Sequence, residues 1–189
     1  MSLMSELERA PLRPVLTRLG SSIARRCLLL LPLLAMSCAY GADGYHTHGF
    51  QVAGISCEHG EPLRQHTHAH LSIFAEGRTV PLPEYVGLDG ECLMPLHTYD
   101  GTGIIHLETA TGRDFSLGDF FVIWHQPLST SGLMSFQADG THQIRASVNG
   151  QQFAGDPARI PLASHADIVV AYGPPFPVPD PFRFPPSAP

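Results

Sequence analysis

The sequence predicts an α+β domain in which a mostly antiparallel β-sheet is crossed by one short helix. Three observations carry this prediction: apolar and polar residues alternate over several short stretches, an Asn-Gly pair separates two of these stretches, and one segment has helical periodicity. A helix packed across such a sheet would make the fold β-grasp-like, although the sequence does not determine the order of the strands.

The alternating stretches are predicted to be β-strands joined by tight turns. Glu76-Gly77 is expected to turn the chain between two of them, and Asn149-Gly150 suits a type I′ turn between two others. The last stretch, "ADIVVAYG", is mostly apolar and predicts a buried strand. The predicted strands lie within 68–82, 102–110, 142–155 and 166–173.

The single predicted helix lies within 113–128. Ser116 occupies the expected N-cap position, and Asp119 three residues later completes a capping box. Pro127 is expected to end the segment. The apolar residues after the cap recur at helical spacing and predict a face packed on the sheet: Leu117, Phe120, Phe121 and Trp124.

The N-terminal region 1–41 has the pattern of a secretory signal and is predicted to be removed on export. Five arginines precede the short apolar run 27–36, and small residues follow it. This run is shorter than the about 20 apolar residues that a membrane-spanning helix needs. Cleavage after Ala39 or Gly41 competes with lipoprotein processing, in which Cys38 of "LAMSC" would become an acylated N-terminus.

The charge of the remaining chain excludes two classes of partner. Without the five Arg and two Glu of the signal, six basic and 15 acidic side chains remain, a net charge of −9, and the chain has no lysine. Nucleic acids and anionic lipids are bound through basic patches, so neither is an expected partner. We expect a periplasmic or secreted protein, held on the outer face of the membrane only if Cys38 is lipidated.

Cys57 and Cys92 remain in the mature chain and predict a disulfide, because export leads to an oxidising compartment. This bond would close a loop of roughly 36 residues and stabilise the fold by about 4 kcal/mol in the chain-entropy model. The alternative is soft ligation of copper(I) or zinc by a thiolate, but no CxxC spacing supports it.

The globular His-rich domain is expected at 55–173, between two extensions of different composition. Residues 42–54 are predicted to form a flexible leader. In 174–189, eight of sixteen residues are proline, which is typical of an extended polyproline-like tail with little core of its own. We expect a loose terminus that its three phenylalanines could still pin to the surface.

Histidines are concentrated in one part of the chain, since eight of the 11 lie between positions 46 and 106. In "HTHAHLSIF", His66, His68 and His70 occupy alternate positions of a predicted strand and therefore point to one face. The outer two would be about 13–14 Å apart at Cα in an extended strand, too far to bind one ion together. We predict that His68 and His70 are the ligand pair, because His70 leads directly into the buried run, and that His66 is a neighbour.

The remaining ligands are expected in "LHTYDGTGIIHLE", residues 96–108. In this segment His97 and Asp100 precede a Gly-rich turn, and His106 and Glu108 share one face of a strand. Imidazoles with a carboxylate or water suit Zn, Cu(II) or Fe(II) better than Ca or Mg. The predicted ligands are His68, His70, His97 and His106, with His66, Tyr99, Asp100 and Glu108 as alternative ligands or orienting groups.

Three functions are compatible with such a cluster. The first is an exported protein that binds a transition metal ion, Zn or Cu. The second is a metal-dependent hydrolase or oxygenase, in which Asp100 or Glu108 would act as general base on a metal-bound water. The third is a non-catalytic envelope interaction module with a solvated histidine face and a docking tail. We favour the first, which needs no catalysis, and expect no nucleotide or organic cofactor, because the chain has no phosphate-binding glycine loop.

These motifs together resemble a group of exported bacterial and archaeal His-rich proteins of unknown activity. The group shares an upstream cysteine, "HxHAHLxIFxxG", "C…LHTHDxxGIIHxE" and "xLGxFFxxW"; this chain has Cys57, "HTHAHLSIFAEG", Cys92, "LHTYDGTGIIHLE" and "SLGDFFVIW", a match over 55–173. The resemblance implies an envelope domain built around the paired histidine motifs and names no reaction. Tyr99 stands where the group has the second histidine of "LHTHD", so a ligand there would be lost or replaced by a phenolate.

Overall fold

The histidine-rich stretch forms a strand of 11 residues, Gln65–Ala75, which lies inside the main sheet. The predicted signal 1–41, including Cys38, and the first part of the predicted leader lie outside the described residues. The computed structural model describes residues 51–58, 60–90 and 92–186.

Thirteen strands and one α-helix make up the regular structure of the described residues. Seven of these strands form the main sheet, and the others form three two-stranded sheets. The helix α1 spans Leu117–Ile123, and a single 3-10 turn spans Pro157–Arg159. The strands are β1 (Gln51–Val52), β2 (Ile55–Ser56), β3 (Gln65–Ala75), β4 (Arg78–Val80), β5 (Leu88–Asp89), β6 (Cys92–Leu93), β7 (Leu96–His97), β8 (Ile104–Thr109), β9 (Gly132–Leu133), β10 (Phe136–Gln137), β11 (Gln143–Val148), β12 (Gln151–Phe153) and β13 (Asp167–Gly173).

The main sheet has the strand order β12-β11-β13-β3-β8-β7, with β4 beside the end of β3. Neighbouring strands are antiparallel except for β13 and β3, which run parallel in the middle of the sheet. The predicted α+β class, with a mostly antiparallel sheet and one short helix, is therefore confirmed, whereas the β-grasp-like arrangement stays a prediction. The predicted turns at Glu76-Gly77 and Asn149-Gly150 connect β3 to β4 and β11 to β12.

The two faces of the main sheet differ in polarity, because side chains alternate along each strand. Ala69, Leu71 and Ile73 of β3 are buried, and so are Ile105 and Leu107 of β8. These side chains belong to one hydrophobic cluster with four residues of α1: Leu117, Phe120, Phe121 and Ile123. The alternate positions of β3 and β8 point to the opposite face, which carries the histidines.

Helix α1 begins at the predicted capping box. The Ser116 Oγ accepts a hydrogen bond from the Asp119 N–H at 3.3 Å, and Asp119 Oδ2 accepts one from the Ser116 N–H at 2.8 Å. These bonds satisfy backbone donors that the first turn of a helix leaves without partners. Phe120 and Phe121, in the turn that follows, are buried in the core as predicted.

A disulfide joins Cys57 and Cys92, which confirms the prediction, and their Cα atoms lie 5.4 Å apart. It links the segment after β2 to the start of β6. Such a bond is consistent with an oxidising, exported location. Within the described residues, no helix combines the length and the apolar character that crossing a membrane requires.

The proline-rich residues 174–186, here called the C-terminal strap, lie along the histidine-bearing face of the sheet. The Phe182 ring stacks on the His70 ring, with centroids 3.7 Å apart and planes inclined by 7°. The Arg145 guanidinium lies 4.0 Å from the centroid of the Phe176 ring, within reach of a cation–π attraction. The composition of the strap predicts a loose terminus that its phenylalanines could pin to the surface, and Phe176 and Phe182 make such contacts with the sheet.

Candidate metal centre

Three neighbouring strands bring four histidines and a glutamate together on the polar face of the sheet. The register places His68 of β3 opposite His106 of β8, and His106 opposite His97 of β7, so that three imidazoles form a row. Two positions along β3, His66 pairs with Glu108 of β8. The side-chain alternation of a strand puts all of them on the face away from the core.

The Glu108 carboxylate lies in the middle of this group. Its Oε1 is 3.2 Å from His66 Nε2 and 3.9 Å from both His97 Nε2 and His106 Nδ1. His68 Nε2 lies 2.8 Å from His106 Nδ1. The group opens to solvent at His66, whose side chain is 42% exposed, and is closed at His97, whose side chain is 0% exposed.

These separations suit the coordination of a small transition-metal ion. Four nitrogen or oxygen ligands at about 2.1 Å in a tetrahedral arrangement lie roughly 3.4 Å from one another. The 2.8 Å between His68 Nε2 and His106 Nδ1 and the 3.9 Å between His106 Nδ1 and Glu108 Oε1 lie on either side of that value. The donor atoms form two groups, each with all atoms within 4.8 Å of one another: His66, His68 and His106, and then His97, His106 and Glu108. His106 belongs to both groups, and the mixture of imidazoles with one carboxylate suits Zn or Cu.

The imidazole of His97 is in a tautomeric form that can bind a metal ion, with the proton on Nδ1. Its Nδ1 lies 2.9 Å from the Met94 carbonyl oxygen, which can only accept, so Nδ1 carries the proton and Nε2 presents a lone pair. Among the described side chains, Nε2 of His97 is the one buried nitrogen or oxygen without a hydrogen-bond partner. Metal-binding histidines commonly donate their other N–H to a backbone carbonyl in this way.

Two imidazoles of the group are neutral near pH 7. Burial lowers the pKa of His97 below its ordinary value, even though the hydrogen bond to Met94 and the charge of Glu108 act in the opposite direction. Burial, followed by repulsion from His68 and His97, lowers the pKa of His106 to about 4. A neutral imidazole keeps the lone pair that a metal ion requires.

Comparisons with known proteins do not identify a family or a function for this chain. No protein-family model, curated protein or solved structure matches it significantly. The resemblance to exported His-rich proteins therefore stays a prediction, and the function has to be inferred from the site itself.

His70, which the sequence places in the ligand set, lies in neither donor group. Its Nδ1 is 2.9 Å from Asp167 Oδ1, because the parallel register of β13 sets Asp167 beside it. Phe182 covers one face of the ring, and the backbone of Gly103 lies so close that an added Cβ would come within 2.9 Å of Nε2. His70 therefore contacts the strap. The histidine that joins His68 in a donor group is His66, whereas the sequence predicts His70.

Tyr99 and Asp100 relate to the group in different ways. The Tyr99 ring packs edge-on against His97 and His106, with centroids 4.8 and 4.7 Å away. Burial and the Glu108 charge raise the pKa of its hydroxyl, so the phenol, not the phenolate, lies beside the imidazoles. Asp100 accepts hydrogen bonds from the Thr102 N–H and hydroxyl in an exposed turn, which lowers the pKa of its carboxyl, and it belongs to neither donor group.

Two residues that orient the histidines on this part of the sheet could not be predicted from the sequence. Met94 acts through its carbonyl oxygen, a group that every residue has. Asp167 meets His70 across a separation of 97 residues, through a register that only the folded sheet reveals. The positions of Glu108 and His66 could be predicted from the sequence, because each lies two residues from a histidine on the same strand face.

Proposed function

We propose that this protein is an exported domain that binds a transition metal ion, zinc or copper, through an imidazole–carboxylate cluster. The ligands come from the two overlapping donor groups, which are His97, His106 and Glu108 on the buried side and His66, His68 and His106 on the solvent-exposed side. The observation that carries the proposal is the buried Nε2 of His97, which has a lone pair and no hydrogen-bond partner in the described structure. The large majority of buried side-chain nitrogens in folded proteins have a hydrogen-bond partner, so an unpaired one points to a ligand that the chain does not supply.

The exported location is part of the same proposal. It is supported by the sequence pattern of region 1–41 and by the Cys57–Cys92 disulfide, which is typical of oxidising compartments. Lipidation at Cys38 and kinship with the exported His-rich proteins extend the proposal and rest on sequence patterns alone.

The geometry favours a metal centre over an interaction module, and a hydrolase or oxygenase stays the second candidate function. The donors form two groups of three, and three protein ligands with an open fourth position are also the arrangement of catalytic zinc sites. An interaction module with a solvated histidine face would expose its imidazoles, whereas His68 is 4% and His97 0% exposed.

Metal titration of the mature protein tests the proposal. The protein is stripped with a chelator and titrated with Zn²⁺ and Cu²⁺ by calorimetry. We expect His97→Ala to weaken binding at least about 100-fold, because it removes the pre-oriented ligand. The matched control is His165→Asn, which lies outside both donor groups, contacts Phe184, and has a φ of 58° that asparagine tolerates. Equal affinity for wild type, His97→Ala and His165→Asn would contradict the proposal.

A further inference from the structure

Three sulfur atoms meet at the disulfide. Met94 Sδ lies 3.7 Å from Cys92 Sγ and 3.9 Å from Cys57 Sγ. Since the sulfurs of a disulfide carry no proton, these are packing contacts in the oxidised protein. The thioether is held in place, because Met94 is 2% exposed and its N–H donates to the Gly87 carbonyl at 2.8 Å.

We propose that reduction of the disulfide turns this sulfur cluster into a second metal site, which binds copper(I) through the Cys57 and Cys92 thiolates and the Met94 thioether. Thiolate and thioether ligands select copper(I) over harder ions. Three sulfurs at about 2.3 Å from an ion in a trigonal arrangement lie roughly 4.0 Å from one another. The two separations that involve Met94 are already 3.7 and 3.9 Å, so only the two cysteine sulfurs have to move apart.

The reduction requires a dithiol as the electron donor. One thiolate of the dithiol attacks a cysteine sulfur and breaks the Cys57–Cys92 bond, and its second thiolate then resolves the mixed disulfide. Two electrons pass to the protein, which gains two thiols, and the reductant leaves as a disulfide. Copper(I) then displaces one proton from each thiol and keeps its oxidation state.

A cleft gives access to the sulfur cluster. Cys92 and Met94 line a cleft of about 320 Å³, and Glu84 and Asp89 form part of the same wall. Carboxylates in a cleft raise the local concentration of cations. Cys92 is also less buried than Cys57, which is 7% exposed, and we therefore expect a reductant to attack Cys92.

The sulfur cluster and the imidazole centre are separate sites that share one supporting residue. The Met94 side chain contacts the cysteines, and its carbonyl oxygen accepts the hydrogen bond from His97 Nδ1. The sulfurs suit copper(I), whereas imidazoles and a carboxylate suit Zn or Cu(II). No sulfur is a ligand in the proposed function, so either site can fail without the other.

The test compares copper(I) binding by the oxidised and the reduced protein in a His68→Ala/His106→Ala background, which removes the imidazole centre. Protein reduced with a dithiol and freed of it anaerobically is titrated with copper(I) against a coloured copper(I) chelator. We expect the reduced form to bind one equivalent that the oxidised form does not. Met94→Leu, which keeps the volume but lacks the thioether, should weaken this binding at least about tenfold. Met134→Leu, in the turn between β9 and β10, is the matched control and should bind like the parent.

Equal copper(I) binding by the two redox forms would overturn the proposal, and so would Met94→Leu protein that binds as tightly as Met134→Leu. Because reduction also removes a cross-link, circular dichroism is recorded at each step. Reduced protein that unfolds and regains its fold on addition of copper(I) supports the site, whereas protein that stays unfolded with copper(I) overturns it. X-ray absorption of the reduced His68→Ala/His106→Ala protein with one copper(I) should show a sulfur-only ligand shell, and a nitrogen shell would contradict the assignment.

Discussion

His97 links metal binding to stability at the scale of a single residue. Its Nδ1 donates to the Met94 carbonyl, and its buried Nε2 has no hydrogen-bond partner among the described residues. A buried polar atom left unpaired costs about 1–3 kcal/mol. An ion that pairs with this nitrogen removes the cost and binds only the folded state, so the metal should raise the free energy of unfolding.

Glu108→Gln should weaken zinc binding by about 10–100-fold, because the amide keeps the shape of the carboxylate and loses its charge. The reason is the position of Oε1, within 3.9 Å of the His66, His97 and His106 imidazoles. Calorimetric titration with Zn²⁺ measures the effect. Glu58→Gln is the matched control, since the Glu58 carboxylate accepts hydrogen bonds from Thr109 and Ala110 instead. Unchanged zinc affinity in Glu108→Gln would exclude this carboxylate from the ligands.

Acid should destabilise the metal-free protein through His106. Its pKa is about 4 in the folded protein against an ordinary value of 6.5, so the unfolded chain takes up a proton first as the pH falls. The stability contributed by the neutral imidazole is complete above pH 6.5 and is lost as the pH falls to about 4. Burial lowers the pKa of His97 and acts in the same direction.

The loss should reach about 1–3 kcal/mol in free energy of unfolding between neutral pH and the folded pKa of His106. Urea unfolding in the presence of a chelator, at several pH values across this range, measures it. His106→Gln should show a shallower pH dependence than the wild type. A free energy of unfolding that rises on acidification would contradict the neutral state of these imidazoles.

At the scale of elements, Asp167 joins the strap to the two central strands. Its Oδ1 accepts from His70 Nδ1 at 2.9 Å, and its Oδ2 accepts from the Phe182 N–H at 2.9 Å. One carboxylate of β13 thus holds both a histidine of β3 and the backbone of the strap. The stacking of Phe182 on His70 completes this contact.

Phe182→Ala should lower the free energy of unfolding by about 1–3 kcal/mol, less than a fully buried phenylalanine would cost, because the ring is only partly buried. Zinc affinity should not change, since Phe182 contacts none of the proposed ligands. Urea unfolding and zinc titration check both statements. The matched control is Val178→Ala in the same strap, where the side chain is 89% exposed and its loss should have no effect. Loss of zinc affinity in Phe182→Ala would show that the strap and the metal centre are coupled.

The elements that could be predicted from the sequence are those with local signals. The Ser116–Asp119 capping box and the Asn149-Gly150 turn act over a few residues, and the structure has both. The parallel pairing of β13 with β3 joins segments that are far apart in the chain and has no local signature. Strand alternation shows on which face of the sheet His70 lies, and on that basis the sequence predicts it as a ligand. Only the register shows that His70 lies beside Asp167 and Phe182.

At the scale of the whole molecule, the disulfide ties the N-terminal segment of the described chain to the region that supports the metal centre. Cys57 follows β2, Cys92 begins β6, and Met94 two residues later holds His97 through its carbonyl oxygen. The segment that supports His97 is therefore held by a covalent bond to the residues that follow β2.

The double change Cys57→Ala/Cys92→Ala should lower the free energy of unfolding by about 2–5 kcal/mol, the usual cost of removing a native disulfide. Urea unfolding of the chelator-treated protein measures this loss. The oxidised wild type and the wild type in reducing buffer should differ by a similar amount, which serves as the control. A loss below about 1 kcal/mol would show that the bond contributes little to the fold.

The presence of a metal ion among the clustered imidazoles is tested most directly by a crystal structure of the mature protein grown with zinc, with anomalous data collected at the zinc edge. We predict an anomalous peak among His68, His97, His106 and Glu108, with a bond of about 2.0–2.1 Å to His97 Nε2. Zinc peaks found only at other surfaces, with His97 Nε2 still unpaired, would contradict the proposed function.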